Sequence, residues 1–126
     1  MSALDKWHGY MAHPSAESLA AMLADDVVFE SPVVHTPQAG KDITFKYLWS
    51  AAKVLGGDGF VYLNEWRGER SAILEFEQTI EGIKVNGIDM IWWNEDDLIT
   101  RFKVMVRPLK AVNMLHAMMG AQLAKG

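Results

Sequence analysis

Two periodicities divide the chain. Up to residue 55, apart from one short β-branched stretch and a loop, the apolar residues recur at three- and four-residue spacing, as on helices with one buried face. From residue 60 to 107 they alternate with polar residues, as on strands. Residues 3–12 predict a short helix with Leu4, Trp7, Tyr10 and Met11 on one side, broken by "HPS". Ser15 is placed to cap a second helix through "AESLAAMLA", with Leu19, Met22 and Leu23 inward. "DVVFESPVV" is β-branched and ends near a proline, so it reads as a short strand; "HTPQAG" reads as a loop. "KDITFKYLWSAAKVL" predicts a third helix, with Ile43, Tyr47, Leu48, Ala51 and Leu55 on its inner face, stopped by "GGDG".

The second half predicts a meander. "FVYLNEW" is a strand and "RGER" a turn. In "SAILEFEQTIEG", Ala72, Leu74, Phe76 and Ile80 face one way and Glu75, Glu77 and Thr79 the other. "IKVNGIDMIWWN" follows, then the polar turn "EDD", then "LITRFKVMVR", where Phe102, Val104 and Val106 alternate with Arg101, Lys103 and Arg107. Short turns between successive strands imply antiparallel pairing. Pro108 suits the first turn of a last helix, whose apolar stripe is Leu109, Val112, Leu115, Met119 and Leu123. Helices, then strands, then one closing helix make an α+β fold, with helices on one face of an antiparallel sheet. No repeat or linker interrupts it, so residues 1–126 read as a single domain.

Composition narrows the function. Half the residues are hydrophobic and 22% are charged, a globular balance. A net charge of −4 with no basic stripe argues against nucleic acid as a partner. The absence of cysteine removes disulfides and thiolate metal sites. His8, His13 and His116 lack metal-ligand spacing, so no metal is expected. The N-terminus lacks a signal-peptide core and no run reaches transmembrane length, so the expectation is a cytoplasmic protein with no membrane partner. Five Trp and eight Met fit a wide apolar cavity or a well-filled core.

Asp89 is the anomaly. It lies in "VNGIDMIWW", where alternation puts Gly87, Ile91 and Trp93 on its own face and Ile88, Met90 and Trp92 on the other. Both faces are apolar, so the carboxyl must find a partner or take up a proton. It then serves a structural network or a ligand, and spacing alone favours the first. His35, between Pro32 and Pro37, is a candidate acid–base partner at a cavity mouth, or a surface histidine. Ser31 ends a strand with no inferable triad. The polar-tipped aromatics Trp7, Tyr47, Tyr62 and Trp66 could line a cavity, though core filling is the commoner role. Glu75 and Glu77 opposite Arg101, Lys103 and Arg107 read as a salt-linked outer sheet face. With Met90 and Trp92 between the charged rows, that face suggests a subunit interface.

Two segments, "LAAMLADDVVFESPVVHTPQAGKDITFKYL" and "LEFEQTIEGIKVNGIDMIWWNEDDLITRFKVMVRP", resemble the nuclear transport factor 2-like, or SnoaL-like, superfamily. The marks are "ADD" ending a helix, "F.SPV" on the next strand, a Gly opening the following helix, and the "GIDMI.W" meander, over about residues 15–108. The resemblance implies a strongly curved antiparallel sheet wrapped round the N-terminal helices. That is a cystatin-like cone or α+β barrel with an apolar pocket, here with an extra C-terminal helix. It implies cofactor-free enzymes of the cyclase, isomerase or dehydratase type, alongside noncatalytic binding or assembly modules. It also implies homodimers through the outer sheet face, here Glu75, Glu77, Met90, Trp92, Arg101 and Lys103. In ketosteroid isomerases the position matching Asp89 is a protonated oxyanion donor. Carried over, Asp89 and His35 are the catalytic candidates. Trp7, Phe29, Ser31, Tyr47, Leu74, Phe76, Ile91, Phe102, Val104 and Val106 would face a small apolar substrate. The isomerase base, an Asp before "PV", is Ser31 here, and the Asp–Arg–Asp set of the family's epoxide hydrolases lacks its second Asp.

Overall fold

The computed structural model describes residues 2–125. In chain order these form α1 (Ala3–Ala12), α2 (Ala16–Met22), β1 (Leu23–Glu30), β2 (Gln38–Ala39), α3 (Lys41–Leu55), β3 (Val61–Arg67), β4 (Ser71–Ile80), β5 (Ile83–Trp93), β6 (Ile99–Arg107) and α4 (Leu109–Ala124). The fold is α+β, as the alternation of periods implies.

Local chemistry starts the helices. Ser2 and Asp5 form a reciprocal capping box on α1, and the Ser15 hydroxyl accepts from the Ser18 amide at 3.1 Å to start α2. A side chain also seats α1: Asp97 Oδ1, in the turn after β5, accepts from the Ala3 amide at 3.2 Å. The second helix ends at Met22, sooner than expected, because Leu23 is drawn into the sheet opposite Ile99.

The six strands lie in the order β2-β1-β6-β5-β4-β3. β3 to β6 form the antiparallel meander. Glu81 and Gly82 join β4 to β5, both with positive φ (51° and 77°), so the tight loop follows the strand twist. β1 runs parallel to β6, a pairing that alternation cannot reveal. The sheet is open, with β2 and β3 at its edges. Irregularities in register between Leu23 and Val28, Tyr62 and Asn64, and Trp92 and Trp93 bend it.

The core joins Leu4, Trp7, Leu19, Leu48 and Leu115 from the helices to Leu74, Phe76, Ile91 and Phe102 from the sheet. Two expected core positions differ. Ile43 is exposed, since the buried line of α3 runs through Thr44 and Leu48. Leu109 is 74% exposed, since α4 buries Ala111 and Leu115. Gln78 occupies an inner-face position of β4, where its Nε2 donates to the carbonyls of Leu55 (2.9 Å) and Asp58 (3.3 Å). It thereby clamps the end of α3 to the sheet. Among the described residues no helix is long and apolar enough to cross a membrane.

Gly87 shapes the inner face. A Cβ there would lie 2.5 Å from the Met105 carbonyl oxygen and 2.6 Å from Phe76 Cζ, so the Phe76 ring lies over bare backbone. Gly87→Ala is expected to lose about 1–3 kcal/mol of stability by overpacking, read from urea denaturation. An unchanged midpoint would mean that Phe76 is free to move.

Candidate active site

Alternation along β5 points Asp89 inward, between its register partners Leu74 on β4 and Val104 on β6. Neither offers a hydrogen bond, so the carboxyl is solvated from elsewhere. Tyr62, on β3, donates its hydroxyl proton to Asp89 Oδ2 at 2.6 Å. Tyr62 sits beside Phe76, whose own partner is Gly87, two residues before Asp89 on β5 and on the same face. The Tyr62 oxygen in turn accepts from Trp7 Nε1 on α1 at 3.0 Å. An indole N–H can only donate. With its oxygen engaged by Trp7, the Tyr62 hydroxyl commits its proton to Asp89. Rings hold this chain in place: Phe60 meets Tyr62 edge-on with centroids 5.1 Å apart, and Trp7 packs on Phe102 at 4.9 Å.

The electrostatics follow from burial. Asp89 is 7% exposed, and loss of solvent raises its pKa from 3.8 to about 7, against the opposing pull of the Tyr62 hydrogen bond. The Tyr62 hydroxyl is pushed strongly upward by burial and then by the neighbouring carboxylate, so it stays protonated. Asp89 Oδ1 has no hydrogen-bond partner among the described residues.

Asp89 borders a cavity of about 490 Å³ between the sheet and the helices, within the range of small-molecule pockets. Phe29, Phe76, Phe102 and Val104 form its sheet side; Trp7 and Tyr10 come from α1, Tyr47 and Leu48 from α3, and Leu115 and Met119 from α4. Ser31 and the residues up to Val34 close one side. Thus Trp7, Phe29, Ser31, Tyr47, Phe76, Asp89, Phe102 and Val104 meet at one cavity. Leu74 and Ile91 do not border it: both are fully buried in the core. Val106 packs against the core outside the wall. His35 is exposed and also outside the wall, whereas His116, on α4, lines the cavity. Sequence reasoning passed over His116, and it grouped Tyr62 with core-filling aromatics. The signal for Tyr62 was an aromatic hydroxyl on a strand next to the one facing Asp89, but the β3 irregularity that aims it is not written in the pattern. Among the described residues no group of three or more His, Asp or Glu side chains is placed to hold a metal ion.

The outer face carries Glu75, Glu77, Met90, Trp92, Arg101 and Lys103. Its acidic and basic rows do not pair with each other, as the sequence suggested, because β5 lies between them. Glu75 accepts from Asn64 (2.7 Å) and Asn86 (3.1 Å), Glu77 faces Lys84 (3.6 Å), and Arg101 faces Glu30 (3.6 Å).

No family model matches the sequence, and no curated protein matches it. Among solved structures, a steroid delta-isomerase from Pseudomonas aeruginosa is 35% identical, with a TM-score of 0.91 over 98% of this chain and 90% of that one. An uncharacterized protein with a cystatin-like fold from Silicibacter pomeroyi is 28% identical, with a TM-score of 0.86 over 95% and 84% of the two chains. An NTF2-like protein of unknown function from Cytophaga hutchinsonii shares the fold at 11% identity, with a TM-score of 0.66 over 86% and 90%. The chain belongs to the NTF2-like, ketosteroid isomerase-like superfamily.

The raised pKa has a measurable consequence for stability. Between pH 3.8 and about 7 the folded protein keeps a proton on Asp89 that the unfolded chain has lost. Folding is therefore favoured at the acid end of that window and weakens as pH rises through it. Asp89→Asn removes this dependence. The variant is expected to melt above the wild type at pH 8 and level with it at pH 4, by scanning calorimetry. A variant that melts below the wild type at pH 8 would mean that the ionised carboxyl stabilises the fold.

Proposed function

We propose that this protein is a small-molecule acid–base catalyst of the isomerase, cyclase or dehydratase type. It moves a proton next to a carbonyl of an apolar substrate, with Asp89 as the group that handles the proton. The observation that carries this reading is a buried carboxyl at a cavity wall, anchored through Oδ2, unpartnered at Oδ1 and titrating at about 7. A value so close to neutrality keeps both protonation states populated, which suits general acid–base work. Ionised, Asp89 withdraws a proton from carbon beside the carbonyl; protonated, it donates from Oδ1 to the carbonyl oxygen and stabilises the enolate. The likeness to a protein described as a steroid delta-isomerase supports proton transfer at carbon.

The chemistry differs from a two-carboxylate isomerisation, because Ser31 stands where the resemblance expects the base. That same residue favours the second reading, a noncatalytic module that binds an apolar ligand in the same cavity. Exchange of the α-hydrogens of 2-tetralone with deuterated water, followed by proton NMR, separates the two. For a catalyst the wild type exchanges well above buffer, and Asp89→Asn loses about 100-fold or more with binding retained. For a binding module the wild type does not exceed buffer.

The outer sheet face supports a homodimer as a further proposal. A two-fold axis over Met90 and Trp92 would lay the acidic row of one protomer over the basic row of its partner, using charges that β5 keeps apart within one chain. Sedimentation velocity is expected to give a dimer for the wild type and a monomer for Arg101→Glu/Lys103→Glu. A monomeric wild type at micromolar concentration would overturn the dimer.

A further inference from the structure

Resting on that catalytic reading, we infer that the ligand is an uncharged molecule with two oxygen functions: one at Asp89, the other held by Ser31 and Tyr47 across Val104 from it. The backbone register places the two sites. Asp89 pairs with Val104, and Glu30 of β1 pairs with Lys103 of β6, so Ser31, next along the chain, comes level with Val104 on its other side. Asp89 and Ser31 thus stand two strand spacings apart, about 10 Å of backbone. The curve of the sheet and the two inward side chains reduce that distance, so the oxygens of a bound molecule would be separated by about one ring.

Both hydroxyls have unspent capacity. Ser31 Oγ accepts from the Val33 amide at 3.0 Å, and its proton has no acceptor among the described residues. Tyr47, on α3, lies against Phe29 with centroids 5.5 Å apart, and its hydroxyl makes no hydrogen bond among the described residues. Phe29 is two residues before Ser31, which follows the last residue of β1, so Tyr47 and Ser31 border one corner of the cavity. Two donors beside the apolar side chains of Phe29, Phe102 and Val104 call for an acceptor, such as a carbonyl, hydroxyl or ether oxygen. Between that corner and Asp89 the surface is Phe29, Phe102 and Val104, which suits carbon and hydrogen. Among the described residues the cavity wall contains no Lys or Arg, and its one imidazole, His116, belongs to an exposed position of α4, so an anion beside Asp89 would have no buried cation to neutralise it. A neutral hydroxy-ketone or diketone meets all of these conditions.

Calorimetric titration of paired probes tests this: cyclohexanone against 4-hydroxycyclohexanone, 2-tetralone against 6-hydroxy-2-tetralone, and 2-tetralone-6-carboxylate as the anion. In the wild type at least one hydroxy-ketone is expected to bind about tenfold more tightly than its parent, the gain of one well-made hydrogen bond, and the carboxylate about tenfold more weakly. In Ser31→Ala/Tyr47→Phe that preference is expected to vanish while the parent ketone binds as before. Tyr47→Phe alone carries the same comparison if the double variant does not fold. A preference that survives both substitutions, no preference at all, or a carboxylate that binds as well as the hydroxy-ketone overturns the inference. Deuterium exchange of the parent ketone reports on Asp89 separately. Exchange without the preference overturns the second subsite alone, and the preference without exchange overturns the catalytic reading alone. No binding by any probe overturns both.

Discussion

A carboxyl on the concave face of a sheet needs a substitute for water, and the Tyr62 hydroxyl is that substitute. Tyr62 donates to Oδ2 of Asp89 at 2.6 Å and is itself held by the Trp7 indole at 3.0 Å. Three elements far apart in sequence must be in place for this to happen. Helix α1 must be seated at its N-terminus by Asp97, strand β3 must carry its irregularity after Tyr62, and β5 must be bare at Gly87 so that Phe76 can lie beneath. Folding and the site are thus coupled: the hydrogen bonds that make the carboxyl tolerable are also those that join α1 and β3 to the centre of the sheet.

The same arrangement separates the two carboxyl oxygens. One is spent on structure, and the other is left for whatever enters the cavity. Because burial between Leu74 and Val104 strips the group of solvent, and among the described residues no Lys or Arg lines the cavity, its pKa rises from 3.8 to about 7 against the pull of the Tyr62 hydrogen bond. A dry wall thereby turns an ordinary aspartate into an acid–base group suited to neutral pH. The open sheet contributes by bending: its irregular registers create a concave face that the helices roof without filling.

Much of this was legible in the sequence. The change of period near residue 60 marks the start of the meander, and the helix of residues 41–55 and the meander follow from spacing alone. Asp89 stood out because a carboxylate between apolar neighbours violates the pattern on both faces of its strand, and the fold does bury it. What could not be read depended on which non-neighbours meet. Alternation says nothing about β1 lying parallel to β6, and therefore nothing about Ser31 coming level with Val104. It gives every inner-face residue equal standing, yet Leu74 and Ile91 are packed away in the core, while Phe76 and Val104 border the cavity. His35 was chosen for its loop and prolines, but the wall takes its imidazole from the last helix, as His116.

The central claim concerns one proton, so the most direct measurement is the pKa of Asp89 in the wild-type protein. It can be read from a carbon-13 titration of the side-chain carboxyl, with Asp89→Asn identifying the resonance. The expected midpoint is about 7. A midpoint at or below 3.8, the value of an unperturbed aspartate, would make the group a solvated or charge-paired structural carboxylate and contradict the account.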